Sequence, residues 1–256
     1  MIDLPFSRVD YLALAWFVVG WFGYQLFANW AARRGWPCLM SVMGQYRRDW
    51  WHGLIMRELR IVDANILTNL SNSATFFAST TLLILGALLA LLGTSDDAMS
   101  IISDLPFATK TQRLMWEYKI FLLLGIFVYA FFKFTWSLRQ HNFCSVLIGA
   151  APDPHVDPER LEEYVARSAK LASAASNTFN YGLRAYYFAL AALTWFLNPW
   201  AFMFVTTLVV GVLYHREFHS ESLNMMRQSS EESKIQGRRS FDEGDVQRQK
   251  DRSGLF

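Results

Sequence analysis

Between Tyr11 and Ala28 the chain runs YLALAWFVVGWFGYQLFA without a single charged side chain. A run of this length is enough to cross a hydrocarbon core of about 30 Å as a helix at 1.5 Å per residue. It is longer than the roughly 7–15 apolar residues of a secretory signal and lacks a small-x-small cleavage site, so a span is expected over about 10–31 rather than a signal peptide. Because lipid offers no partners to backbone N–H and C=O groups, a chain that enters it as single segments must do so as helices.

Further uncharged runs cover 72–93, 120–132, 185–197 and 200–214. The run at 120–132 sits inside a longer helix expected over 114–138. The last two runs flank Asn198-Pro199, a strong turn signal because proline gives no N–H and disfavours helical geometry in the residue before it. Each is short for a span, so the pair is expected as a hairpin over about 177–197 and 200–218, which brings Arg184 and Glu217 to the membrane edge. The expected fold class is an all-α integral membrane protein with five transmembrane helices, an interfacial amphipathic helix and a cytoplasmic helical extension. The membrane domain is expected over 1–227. Overall composition agrees: 53% of residues are hydrophobic and only 18% charged.

Lys and Arg in the connections set the orientation. Arg33, Arg34, Arg47, Arg48, Arg57 and Arg60 lie between the first two spans, whereas the 94–113 connection carries Lys110 and Arg113 beside Asp96, Asp97 and Asp104. The first connection is therefore expected in the cytoplasm of a bacterial inner (plasma) membrane, with the N-terminus outside and the C-terminus inside. The tail 228–256 mixes both charge signs with few apolar residues and is expected to be disordered.

Two cytoplasmic helices are expected. Arg47–Leu59 places Trp51, Leu54, Ile55 and Leu59 at helical spacing between arginines, the pattern of a helix lying in the interface with Trp50 and Trp51 as anchors. Asp157-Pro158-Glu159 supplies an N-cap, a first-turn proline and a first-turn acid, and the spacing from Leu161 to Phe179 carries that helix toward the fourth span.

Candidate functional residues are polar groups in apolar surroundings. Asn65, Asn69, Asn72, Thr75 and Ser79 share one side of a helix at spacings of three and four. Such a stripe must face other helices or water, as a packing seam or as the lining of a path shared between subunits. Arg184 and Glu217 are expected to pair across the hairpin. His215 and His219, four apart in HREFH, could share a divalent metal only if His141 and Cys144 complete the set. No GxSxG, Walker A or GxGxxG pattern is present, so no catalytic residues, enzyme activity or cofactor are expected. The formal net charge of +2 gives no basis for a nucleic-acid partner. The expected partners are the lipid bilayer, further copies of the chain, or other membrane proteins. The expected function is a structural or accessory component, with a homo-oligomeric channel or carrier for an ion or small solute as the alternative.

The segments TNLSNSATFFAST (68–80), QHNFCSVLIG (140–149) and GLRAYYFALAALTWFLNPWAFMF (182–204) resemble a family of multipass membrane proteins of bacteria and plants known only as a domain of unknown function, the five-hundred-and-ninety-ninth. The likeness covers most of 10–220. Its most specific parts are Asn69 with Ala78-Ser79-Thr80, and Gly182-Leu183-Arg184-Ala185 followed by aromatics and a proline turn. The resemblance implies a membrane fold and supplies no catalytic residues; the 94–113 connection departs from it and the charged tail falls beyond it.

Overall fold

The computed structural model describes residues 7–93, 113–153 and 157–227. The described residues are helical with no strand among them, in the order α1 (Arg8–Arg33), α2 (Leu39–Ile55), α3 (Ile61–Gly93), α4 (Arg113–Gly149), α5 (Pro158–Leu193), a 3₁₀ turn (Thr194–Phe196) and α6 (Pro199–Phe218). A short helical stretch follows over 221–227. The connection 94–112 and the tail 228–256 lie outside the described residues.

Local chemistry accounts for the helix starts. Ser7 caps α1 in a capping box with Asp10, whose carboxylate accepts from the Ser7 backbone N–H and hydroxyl. Asn198 caps α6 by accepting from the Trp200 N–H at 2.8 Å, with Pro199 in the first turn where its missing N–H costs nothing. The helix α5 begins at Pro158 as the sequence indicates, although the Asp157 side chain makes no capping hydrogen bond.

Among the described residues four helices are long and apolar enough to cross a membrane: α1, α3, α4 and the segment Pro199–Arg227 that contains α6. The helix α5 is not among them. Its C-terminal half carries Asn177, Asn180, Arg184 and three tyrosines, Tyr181, Tyr186 and Tyr187, which dilute its apolar character.

Two cores hold the bundle. The larger collects Phe17, Trp21, Phe188, Trp195 and Phe202 from α1, α5, the 3₁₀ turn and α6, with Phe134 and Ala130 from α4. Trp21 stacks on Phe188 at 5.5 Å and Trp195 on Phe202 at 5.3 Å. The smaller core joins Trp51, Leu54 and Ile55 of α2 to Leu67, Cys144, Ile148, Leu161, Val165 and Ala169. It forms because α3, α4 and α5 are 33, 37 and 36 residues long, about 50–56 Å, and therefore outrun a hydrocarbon core of about 30 Å. The surplus turns, roughly 61–71, 139–149 and 158–176, pack together at one end and α2 lies against them.

This second core corrects the expected interfacial helix. The helix α2 runs Leu39–Ile55 rather than 47–59, and Leu59 falls in the connection beyond it. Trp51 is 0% exposed, enclosed by protein instead of anchoring an interface, because the projecting ends of α4 and α5 cover the apolar face that lipid was expected to cover. Trp50 is half-buried and donates its indole N–H to Asp63 at 2.7 Å. Exposed tryptophans at this end include Trp30 and Trp36, edge-on to each other at 5.8 Å, with the Arg34 guanidinium over Trp30. Aromatic rings of that kind favour the membrane–water boundary.

Candidate functional site

Thr81, Ala78, Ala74, Leu67 and Asp63 form the inward face of α3, and Asn65, Asn69, Asn72, Thr75 and Ser79 stand on the opposite face, all exposed. The stripe does not line any path through one protomer. Two of its hydroxyl neighbours satisfy themselves: Thr68 donates to the Ala64 carbonyl and Ser73 to the Asn69 carbonyl, both at 3.0 Å. Among the described residues the asparagine amides make no comparable bond, and an amide carries both donors and acceptors that such back-bonding leaves idle. Asn65 and Asn69 belong to the projecting turns of α3, Asn72 sits at their junction with the apolar run, and Thr75 and Ser79 lie within it.

Across the hairpin, Arg184 of α5 donates to Glu217 of α6 at 3.3 Å, as the spacing suggests. Arg184 is buried, at 6% side-chain exposure, and Glu217 is partly buried, at 13%. The site is larger than a pair. Glu217 also accepts the Met40 backbone N–H at 3.0 Å, tying the start of α2 to the end of α6, and the Arg184 guanidinium lies over Tyr24 at 5.2 Å and Tyr181 at 5.7 Å. Tyr24 in turn donates its hydroxyl to the Leu213 carbonyl at 2.9 Å. Four helices therefore meet at one ion pair.

Two residues before Arg184, Gly182 lets α5 approach α4 closely. A Cβ there would stand 2.5 Å from the ring of Phe134, which is fully buried in a cluster with Phe77, Phe179 and Tyr186. The sequence singles out this glycine only through the family resemblance.

His215 and His219 are exposed neighbours with ring centroids 6.1 Å apart. His141 and Cys144 are buried elsewhere, and among the described residues no three His, Cys, Asp or Glu side chains converge as metal ligands. Burial also pushes the Cys144 thiol up to about 11, away from the thiolate form a metal takes. The expected four-residue cluster is therefore not assembled, because α4 places His141 and Cys144 inward against α2 and α5 while α6 presents its histidines outward.

Two polar constellations escaped the sequence. At the end of the bundle near the Asn198 turn, Asp10 (4% exposed) accepts the Trp195 indole N–H at 2.9 Å, and Lys119 (3% exposed) donates to the Trp195 carbonyl at 2.8 Å with its ammonium over the Trp195 and Phe196 rings. Charges near the ends of apolar runs read as boundary residues; only the folded bundle brings them to one tryptophan. Replacing Asp10 by Ala is expected to strand the Trp195 indole and lower stability by about 2 kcal/mol, read as a fall of about 4–8 °C in detergent melting temperature, whereas Asp10→Asn keeps an acceptor and loses less. Equal losses for the two would show that the hydrogen bond is not what Asp10 contributes.

At the opposite end, α2, α3, α4 and α5 enclose a cavity of about 300 Å³ lined by Arg47, His141 and apolar side chains. His141 is 2% exposed; one ring nitrogen faces the Ser137 carbonyl outside good hydrogen-bond geometry, and among the described residues the other has no partner, nor does Nη1 of Arg47. Burial, and next the nearby Arg47 charge, hold His141 below its ordinary pKa, with the Ser137 carbonyl opposing; burial likewise lowers Arg47.

Residues 12–222 match the family described as "Protein of unknown function, DUF599", and the chain belongs to it. No curated protein and no solved structure matches the chain.

Proposed function

We propose that this member of the DUF599 family is a five-span protein of the bacterial inner membrane, N-terminus outside and C-terminus cytoplasmic, that acts without catalysis as a structural or accessory component. It joins a second copy or a partner membrane protein through the polar face of α3.

The fifth span is α5, and its pairing with α6 supports that assignment. Trp195 stacks on Phe202 beside the Asn198 turn, and Arg184 bonds Glu217 near the far end, so the two helices run antiparallel along most of α6. A helix so paired with a spanning neighbour spans as well. Its polar groups need no lipid partner: Arg184 has Glu217, and the Tyr186 hydroxyl meets Thr81 at 2.8 Å.

The observation that carries the seam is the exposure of Asn72, Thr75 and Ser79 on the face of α3 turned away from its own bundle. Lipid chains give such groups nothing to bond, whereas a second helix does, at about 0.6 kcal/mol for a typical contact. The same exposure supports the second reading, a pore shared between copies and lined by Asn69, Asn72, Thr75 and Ser79.

Single cysteines at Ser79 and, as a control, at lipid-facing Val212 test the seam in native membranes, since Cys38 and Cys144 are both buried. Oxidative cross-linking through position 79 into one defined product, and none through 212, is the expected result. A product of two copies makes the seam homotypic and a heavier one identifies a partner; no cross-link at 79 defeats the seam. Solute flux lost in Asn72→Ala would favour the pore.

A further inference from the structure

The cavity between α2, α3, α4 and α5 has a depth, a charge and a set of idle polar groups that together define a ligand. Depth follows from helix rise. Ser176 stands about 33 Å along α5 from the Asn198 turn, Leu70 about 35 Å from the outer end of α3, and His141 about 42 Å from the outer end of α4. These distances fall just beyond a hydrocarbon core of about 30 Å, in the headgroup layer of the cytoplasmic leaflet. This placement rests on the five-span reading above.

The idle groups come from an accounting of the polar atoms. Trp50 spends its N–H on Asp63, Tyr46 donates its hydroxyl to the Met226 carbonyl, and Ser176 donates to the Ala172 carbonyl. What remains, among the described residues, is Nη1 of Arg47 and the ring nitrogen of His141 that does not face the Ser137 carbonyl, with no carboxylate among the lining residues. A guanidinium held partly out of water without a counter-ion is destabilised, and an anion offsets that cost. The other walls are apolar: Met43, Leu67, and the half-exposed Ile66 and Leu70, which open the cavity on the outer surface of α3. A free, fully hydrated anion gains nothing from such walls, whereas an acyl chain does.

We propose that this cavity binds an anionic phospholipid of the cytoplasmic leaflet, its phosphate on Arg47 and His141 and its first acyl carbons against Met43, Ile66 and Leu70. A zwitterionic choline lipid is disfavoured because its quaternary ammonium would sit beside the Arg47 guanidinium.

Native mass spectrometry of the full chain, delipidated in mild detergent and titrated with phosphatidylglycerol, phosphatidylcholine, palmitate or inorganic phosphate, tests the site. Phosphatidylglycerol is expected to bind at least tenfold more tightly than phosphatidylcholine, with Arg47→Gln removing that preference, Arg47→Lys keeping most of it and His141→Gln weakening it several-fold. Leu70→Trp, which fills the opening and leaves both polar groups in place, is expected to lose binding while remaining monodisperse, and it serves if Arg47→Gln fails to fold. Retention of the preference in Arg47→Gln or in Leu70→Trp overturns the proposal. So does equal binding of inorganic phosphate, which makes the site one for free anions, or of palmitate, which makes it a fatty-acid site. Reagent access to a cysteine at exposed Glu163, tested from each side of sealed vesicles, reports the membrane placement separately, so failure of the topology and failure of the lipid site give different signatures.

Discussion

Glu217→Ala is expected to cost the protein about 3–5 kcal/mol, the usual penalty for leaving one member of a buried ion pair alone. Arg184 has little else to turn to: it is 6% exposed, its Nη1 already lacks a partner, and the faces of Tyr24 and Tyr181 offer weaker attraction than a carboxylate. The loss also reaches α2, because the Met40 N–H that Glu217 accepts loses its partner in the same substitution. Arg184→Ala is expected to cost less, since Glu217 keeps the Met40 N–H and is closer to the surface. Reversing both charges recovers only part of the loss, because an arginine at 217 cannot accept from Met40. Glu217→Gln keeps that acceptor and falls between. Thermal unfolding in mild detergent, followed by tryptophan fluorescence, gives the order; if Glu217→Ala melts with the parent chain, the pair is not a clamp.

Gly182→Ala is the second large effect, and its sign opposes ordinary helix propensity. In an open helix position alanine is better than glycine by about 1 kcal/mol. At 182 the added methyl would stand 2.5 Å from the Phe134 ring, a rigid group held on several sides by other aromatics, so it cannot swing away as a flexible chain end would. The expected cost is about 2–3 kcal/mol, or about 5–10 °C in melting temperature. Gly211→Ala is the matched control, because a Cβ there meets nothing within 4 Å, and it is expected to be neutral or mildly stabilising. Combining Gly182→Ala with Phe134→Leu is expected to cost less than the sum of the two single changes; strict additivity would exclude the ring contact as the cause.

Four of the five expected spans, α1, α3, α4 and α6, and the Asn198-Pro199 turn were legible in the sequence because their signals are local. An uncharged run is apolar wherever it packs, and a proline breaks a helix whatever surrounds it. Arg184 and Glu217 were legible because the turn between them fixes which residues face across a hairpin. The start of α2 and the burial of Trp51 were not, since the amphipathic pattern at 47–59 fits a lipid surface as well as a protein one. Only the projecting turns of α4 and α5 decide between them. The Arg47 and His141 cavity draws residues from four helices, and neither residue belongs to a spaced motif. The polar stripe of α3 is an intermediate case. Its periodicity was visible, but which way it faced depended on Ala74 and Ala78 being the packed side.

From Pro158 to Leu193, α5 is a single helix of 36 residues with no proline after its first position and no break before the 3₁₀ turn. Its two ends belong to different cores, Leu161 and Val165 to one and Phe188 and Ala192 to the other. Such a rod behaves as a lever. A tilt of about 5° about its midpoint, on an arm of about 27 Å, moves each end by about 2 Å in opposite directions. Arg184 rides on one arm and Glu162, tied to Arg48 and His52 of α2, on the other. A push on the outer surface of the projecting turns is therefore delivered, without a hinge to absorb it, to the one ion pair where four helices meet.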